Sequence, residues 1–264
     1  HVYLEDVCPP EIFSAIQSAP EIALGVSSSD SNLLDNLKSA NYHPIPFPGS
    51  TTDEAEYLSW HSSKANNEAR VETCEGFGIT YRLRAATTPV VASLLAFFSS
   101  DDFRSAASRA CGVADSSRTR RDVGIQKYLD GYEISPHPDV RRKALTFMMN
   151  INPQVNSTDL NFHTRYMKLK PQYEDVIAFW KRRPDVERTW LPWEWAETEY
   201  EQVANNSLVI FAPSDESLHA VKADYSHLEG QRTQVYGNLW YSQETGGQHV
   251  TWQELERTLI AGEV

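Results

Sequence analysis

The period of the hydrophobic pattern changes along the chain, and that change restricts the fold more than any other feature. The first third reads as mainly helical. Pro9-Pro10 opens a helix through Ile12, Phe13 and Ile16, and Thr51 with Glu54 has capping-box spacing ahead of Tyr57 and Leu58. From Phe77 the residues alternate as a half-buried strand does. Helical stretches at 87–99 and 101–110 follow, the first apolar nearly all round and therefore expected to be buried. Short runs rich in aromatic and β-branched residues then come at 124–129, 144–151, 207–211, 219–222 and 232–241, separated by turn residues. Thr251 and Glu254 make a second capping box, and Gly262 is placed to stop a final helix. Helices first, then many short strands, predict a mainly β (α+β) chain: a β-sandwich or jelly roll with helices packed on one side.

Length fits one domain over 1–264, with 1–121 as mainly helical support, 122–241 as the β core and 242–264 as a C-terminal helix. Within the core, 157–206 carries Tyr166, Tyr173, Phe179, Trp180, Trp190, Trp193 and Trp195 with Lys181-Arg-Arg among them. It reads as a lid-like insertion over one mouth of the barrel. Core or lid packing is the expected role of its tryptophans, ahead of direct substrate contact.

The formal net charge is −12, from 24 basic and 36 acidic residues, which argues against nucleic acid or an anionic membrane as partner. The longest apolar run, 89–98, is shorter than the about 20 residues that a bilayer span takes. The opening His1-Val-Tyr-Leu-Glu-Asp lacks a signal-peptide pattern. Cys8, Cys74 and Cys111 are odd in number and fit neither a zinc site nor a disulfide framework, so free thiols and a cytoplasmic location are expected.

The chemistry-bearing residues begin with Ser135-Pro-His137-Pro-Asp139. Residues two apart in extended chain project from one face, so His137 and Asp139 can offer an imidazole nitrogen and a carboxylate oxygen to one metal. A second histidine would complete the two-imidazole, one-carboxylate face that suits ferrous iron and leaves three positions open. Among the other histidines, His219 stands out, just past the turn-like Ala212-Pro-Ser-Asp and at the start of a short extended piece. Thirteen residues on, Arg232 sits in the next strand, where a guanidinium can pair bidentately with a carboxylate.

These residues carry a resemblance. The stretch Tyr128-Leu-Asp-Gly131-Tyr-Glu-Ile-Ser-Pro-His137-Pro-Asp139 resembles the metal-site segment of the prolyl 4-hydroxylase-like branch of the 2-oxoglutarate/Fe(II) dioxygenases. The strand 145–152 is similar to that branch's next core strand, and His219 followed by Arg232 matches its distal histidine and co-substrate arginine. The resemblance spans roughly residues 122–241 and implies a double-stranded β-helix of the cupin-like jelly-roll kind. It implies iron held by His137, Asp139 and His219, and Arg232 paired with the distal carboxylate of 2-oxoglutarate. Tyr128 would lie beside that co-substrate. Asn150, standing where the family often has a tyrosine, would donate to the same carboxylate. The family's Gly-Gly-Glu-Thr-like turn after the strand is replaced here by Ser157-Thr-Asp-Leu-Asn-Phe-His-Thr, so its prolyl substrate does not carry over. A carboxylate at 139, where related halogenases have a small residue, points to hydroxylation. The expected enzyme hydroxylates an unactivated C–H of a small molecule, such as an amino acid or related metabolite, using O2 and releasing succinate and CO2. The alternatives are a prolyl hydroxylase acting on a peptide or protein, and a non-enzymatic cupin-like binding module. Arg141, Arg142, Lys143 and Lys181-Arg-Arg are candidates for attracting an acidic group of the substrate.

Overall fold

The helical and strand periods separate in space as they do in sequence. The computed structural model describes residues 1–24, 30–63, 78–154, 156–222, 231–242 and 247–261. In chain order the elements are β1 (Val2–Leu4), α1 (Pro10–Ser18), α2 (Pro20–Ala23), α3 (Asp30–Ser39), β2 (Tyr42–Pro44), β3 (Ser50–Thr51), α4 (Glu54–Ser63), β4 (Gly78–Leu83), α5 (Pro89–Phe98) and α6 (Asp101–Ala110). There follow β5 (Thr119–Tyr128), β6 (Ile134–His137), β7 (Lys143–Asn150), β8 (Arg165–Leu169), α7 (Asp175–Arg182), β9 (Ala196–Glu201), β10 (Leu208–Phe211), β11 (Leu218–Val221), β12 (Arg232–Tyr241) and α8 (Trp252–Ile260). Strands β1-β10-β7-β12-β5-β4-β2 form one sheet in that order, with β3 beside β4, and β6-β11-β8-β9 form a second. Apart from β3 on β4, all these pairings are antiparallel.

From β5 to β12 the chain passes between the two sheets, with only β8 and β9 consecutive in one of them. Inner faces meet through Met148, Tyr166, Val209, Phe211 and Tyr236. The outer face of the large sheet carries the N-terminal helices: Ile16, Leu33, Phe98 and Phe103 pack with Ile125, Leu145, Phe147, Met149 and Val235. The Phe147 ring stacks on Phe98 at 5.2 Å and covers Gly237, its partner on β12. A Cβ at 237 would come within 2.1 Å of that ring, so only glycine fits. The outer face of the small sheet is covered by α7 and α8, with Trp180 and Trp195 fully buried among Met167, Leu169, Leu218 and Leu255. Full burial of a large apolar side chain contributes roughly 1.5–3 kcal/mol.

Several expectations change here. The 157–206 stretch is not lid alone, because β8 and β9 lie inside it and complete the small sheet. Their apolar pattern is hard to read because β9 is a charged edge strand, with Glu197 and Glu199 both 3.3 Å from Lys168 on β8. Helix α5 is buried on one side only, through Val91, Leu94 and Phe98, while Phe97 is 53% exposed. Its other face bears Ala92, Ser93 and Ala96, which have little apolar area to hide. Helix α4 is capped by Asp53, whose carboxylate accepts from the amides of Ala55 and Glu56, and Thr51 belongs to β3 instead. The Thr251–Glu254 box forms with both of its reciprocal bonds. Phe77, Cys74 and Gly262 lie outside the described residues; Cys8 and Cys111 are free thiols.

One buried charge marks the seam between the helices and the large sheet. Lys127 on β5 is fully buried and donates to the Ile22 carbonyl at 2.7 Å and to Thr233 Oγ1 at 3.2 Å. Burial pushes its ammonium down from 10.5 to about 7. Above the folded pKa the unfolded chain still binds the proton while the folded chain has shed it, so stability rises with pH across the window from 7 to 10.5. Each unit of that window is worth about 1.4 kcal/mol. Lys127→Met lacks this slope, so its melting temperature relative to the native chain should fall as pH rises through the window. A constant gap would refute the assignment.

Candidate metal centre and cavity

A cavity of about 580 Å³ opens between the sheets. On its small-sheet wall, His219 of β11 pairs in register with His137 of β6, and their rings lie 4.3 Å apart. Neighbouring Leu218 and Ala220 point the other way, into the core under α7 and α8. The register between Val221↔Ile134 and His219↔His137 advances two residues on β11 but three on β6. This bulge lets both Ile134 and His137 face the cavity, which strict alternation would forbid. Beyond the strand, Asp139 joins them. Ligand atoms of His137, Asp139 and His219 all lie within 4.8 Å of one another, and all three residues are buried.

The surroundings set the charge and the orientation of these groups. His137 Nδ1 lies 2.8 Å from the Ser135 carbonyl and His219 Nδ1 3.4 Å from the Ser217 carbonyl, each two residues back. A carbonyl only accepts, so it places the ring proton on Nδ1 and leaves Nε2 free. Burial, with the neighbouring imidazole, pushes His219 down to about 3, and burial also lowers His137. Both rings are therefore neutral. Burial alone would push the Asp139 carboxyl up, but the Lys143 ammonium, through its charge and its hydrogen bond, outweighs burial and holds the carboxyl well below the carboxylate range. Lys143 Nζ donates to Asp139 Oδ1 at 2.6 Å and to the Tyr236 hydroxyl at 3.0 Å, and Thr146 Oγ1 donates to Asp139 Oδ2 at 2.5 Å. Despite burial, the Asp139 charge holds Lys143 protonated, with its pKa raised.

The large sheet supplies the opposite wall. Arg232 and Tyr128 pair in register across β12 and β5, and the guanidinium lies 4.1 Å from the Tyr128 ring centroid. Arg232 Nη1 donates to Thr164 Oγ1 at 2.8 Å, while its Nε is buried without a partner among the described residues. The Tyr128 hydroxyl donates to Gln126 Oε1. Gly131, at φ 84, makes the turn that leads from β5 toward β6, a backbone region glycine enters without strain.

Five of the six candidate residues thus line one cavity: Tyr128, His137, Asp139, His219 and Arg232. Asn150 does not. It sits at the end of β7, where its amide donates to the Gln202 and Ala204 carbonyls and its oxygen accepts from Gln234. Both ends of the side chain are spent on joining strands. The basic candidates divide as well. Arg141 is tied to the Val186 and Trp180 carbonyls, and Lys181 and Arg183 make surface pairs with Glu216 and Asp185. Arg142 and Lys143 do line the cavity. Sequence reading did not find Thr146, Thr164, Arg188 or Trp240 as lining or supporting residues. Thr146 was within reach, since it alternates with Leu145 and Phe147 of the outer core. Thr164 and Arg188 lie in a stretch without readable period.

No protein-family model matches the chain, and no curated protein matches it. Among solved structures, a Pseudomonas putida prolyl-4-hydroxylase is similar at TM-score 0.44 and 12% identity, over 90% of this chain and 91% of that one. The non-heme alpha ketoglutarate dependent epimerase SnoN from nogalamycin biosynthesis is similar at TM-score 0.26 and 11% identity, over 91% and 87%. The Fe(II)/(alpha)ketoglutarate-dependent dioxygenase TqaL is similar at TM-score 0.27 and 10% identity, over 92% and 96%. Likenesses this loose carry no inference about chemistry, which rests on the cavity itself.

Proposed function

We propose that the chain is an Fe(II)- and 2-oxoglutarate-dependent oxygenase that hydroxylates a C–H bond of a small molecule. The observation that carries this reading is the cluster of two neutral, buried imidazoles and one ionised carboxylate facing a cavity whose other wall presents Arg232. Two nitrogens and one oxygen on one side of an ion leave its other positions open, an arrangement that suits ferrous iron. The alternation of β5 to β12 between the sheets supports a double-stranded β-helix as the frame.

In this reading His137 Nε2, His219 Nε2 and one Asp139 oxygen hold the iron. The Ser135 and Ser217 carbonyls fix the ring orientation. Lys143 and Thr146 each take a lone pair of Asp139 and leave further lone pairs for the metal. Arg232 receives the distal carboxylate of 2-oxoglutarate, steadied by Thr164 and by the Tyr128 face beneath it. The bound iron and 2-oxoglutarate supply the oxidising chemistry: substrate C–H, 2-oxoglutarate and O2 become C–OH, succinate and CO2. The protein's part is to bind, to orient the target carbon and to exclude water. Tyr132 and Phe47 pack with Tyr128 and line that end of the cavity.

Anaerobic addition of Fe(II) and then 2-oxoglutarate should produce a visible charge-transfer band that saturates at one equivalent of each. A plain binding module would give no such band. A screen of metabolites and peptides for stimulated succinate release then separates a small-molecule enzyme from a peptidyl one.

A further inference from the structure

We propose that Arg188 receives an anionic group, a carboxylate or a phosphate, of the molecule that is oxidised, and that the protein selects organic anions over their neutral analogues. This rests on the oxygenase reading and specifies its substrate. Arg188 lines the same cavity as His137, Asp139 and His219. Its side chain is 5% exposed. Its Nε and Nη1 are buried without a hydrogen-bond partner among the described residues. The nearest carboxylate, Asp215, stands 3.5 Å from Nε and is shared with Arg141 at 3.4 Å. Glu187, the neighbouring acid, is occupied by the backbone amides of Arg141 and Arg188. Asp215 is thus shared between two guanidiniums, and Arg188, one of the two, lines the cavity. A buried charged donor without a hydrogen-bond partner is costly, so such a group marks a place that a ligand fills.

The charge balance of the cavity agrees. Arg82 is paired with Asp122 at 2.5 Å and Lys143 with Asp139 at 2.6 Å. Arg142 and Arg232 also line the cavity without an ion-pair partner among the described residues, and Arg188 shares Asp215 with Arg141. Arg232 is taken by the co-substrate in the reading above, which leaves Arg188 and Arg142 for the substrate. The cavity also offers aromatic surface. Trp190 is 38% exposed and lines the cavity two residues after Arg188, and the Arg142 guanidinium lies 5.7 Å from the Trp240 ring centroid. An acidic head on Arg188 and a flat apolar body against these rings satisfy both features. The segment is anchored for the purpose, since the Leu191 amide donates to the Pro136 carbonyl at 2.8 Å, next to the first metal-ligand candidate.

The test uses three probes that share a ring and differ in one group: benzoate, phenyl phosphate and benzamide. Each is titrated calorimetrically into protein given Fe(II) and saturating 2-oxoglutarate under anaerobic conditions. At least one anion should bind about tenfold or more tightly than benzamide, and which of the two does so tells carboxylate from phosphate. Arg188→Met should weaken that anion at least tenfold while benzamide and 2-oxoglutarate affinities stay the same. Arg188→Lys, which keeps the charge and loses the fork, should fall between, and it carries the test if the methionine variant does not fold. Equal binding of benzamide and both anions, or undiminished anion binding in the variants, overturns the proposal. A wild-type protein that discriminates the anions but takes up no 2-oxoglutarate would sink the oxygenase reading alone, so the two failures are distinguishable.

Discussion

Replacing His137 with alanine should abolish substrate-dependent succinate formation and leave a folded protein. The partners around metal ligands are themselves worth about 10–100-fold in affinity, and loss of a ligand exceeds that. The remaining pair, Asp139 and His219, would offer two donor atoms, too few to fix the open face of the ion. Folding should survive because His137 belongs to none of the apolar clusters and is held by a single bond to its own strand. Circular dichroism and melting temperature check the fold, and Fe(II) titration with succinate release checks the site. A variant that turned over at the native rate would remove His137 from the ligand set.

The second large effect is expected at Arg232. Arg232→Met should raise the dissociation constant for 2-oxoglutarate without altering Fe(II) affinity. A charge-assisted pair between a buried guanidinium and a carboxylate is worth about 2–4 kcal/mol when one partner is removed, roughly 30- to 700-fold in affinity. The Tyr128 ring beneath the guanidinium and the Thr164 hydroxyl at its edge would stay, so the cavity keeps its shape. Titration of the charge-transfer band measures the change directly. Unaltered 2-oxoglutarate affinity would mean that some other cation, Arg142 or Arg188, takes the co-substrate.

The candidate ligands could be read in the sequence because their signals are local. His137 and Asp139 are two apart, His219 follows the turn-like Ala212-Pro-Ser-Asp, and Arg232 begins the run 232–241. Strands β5, β7, β10, β11 and β12 are apolar on at least one face and were visible for that reason, whereas β6, which holds His137, was not among the expected strands. What escaped depends on contacts across the chain. Glu197 and Glu199 make β9 look like loop until Lys168 of β8 is set beside them. Asn150 looks like a ligand-facing residue until the carbonyls of Gln202 and Ala204 arrive from 52 and 54 residues away. Arg188 carries no local mark at all, and its character comes from what does not reach it.

Strand length matters as much as residue identity around Asp139. Between Leu239↔Leu145 and Trp240↔Lys143 the large sheet also slips, one residue on β12 against two on β7, with Ala144 as the extra one. Leu145 is buried under the helices, yet Lys143 reaches the cavity and Asp139. In a strand that kept Ala144 without this slip, Lys143 would share the face of Leu145 and its ammonium would lie on the helical side. The same three ligands would then carry one more unit of negative charge, uncompensated, around any ion they hold. The slip at Ala144 thereby sets the electrostatic character of the centre, and a comparison of related chains by ligand identity alone would pass over it.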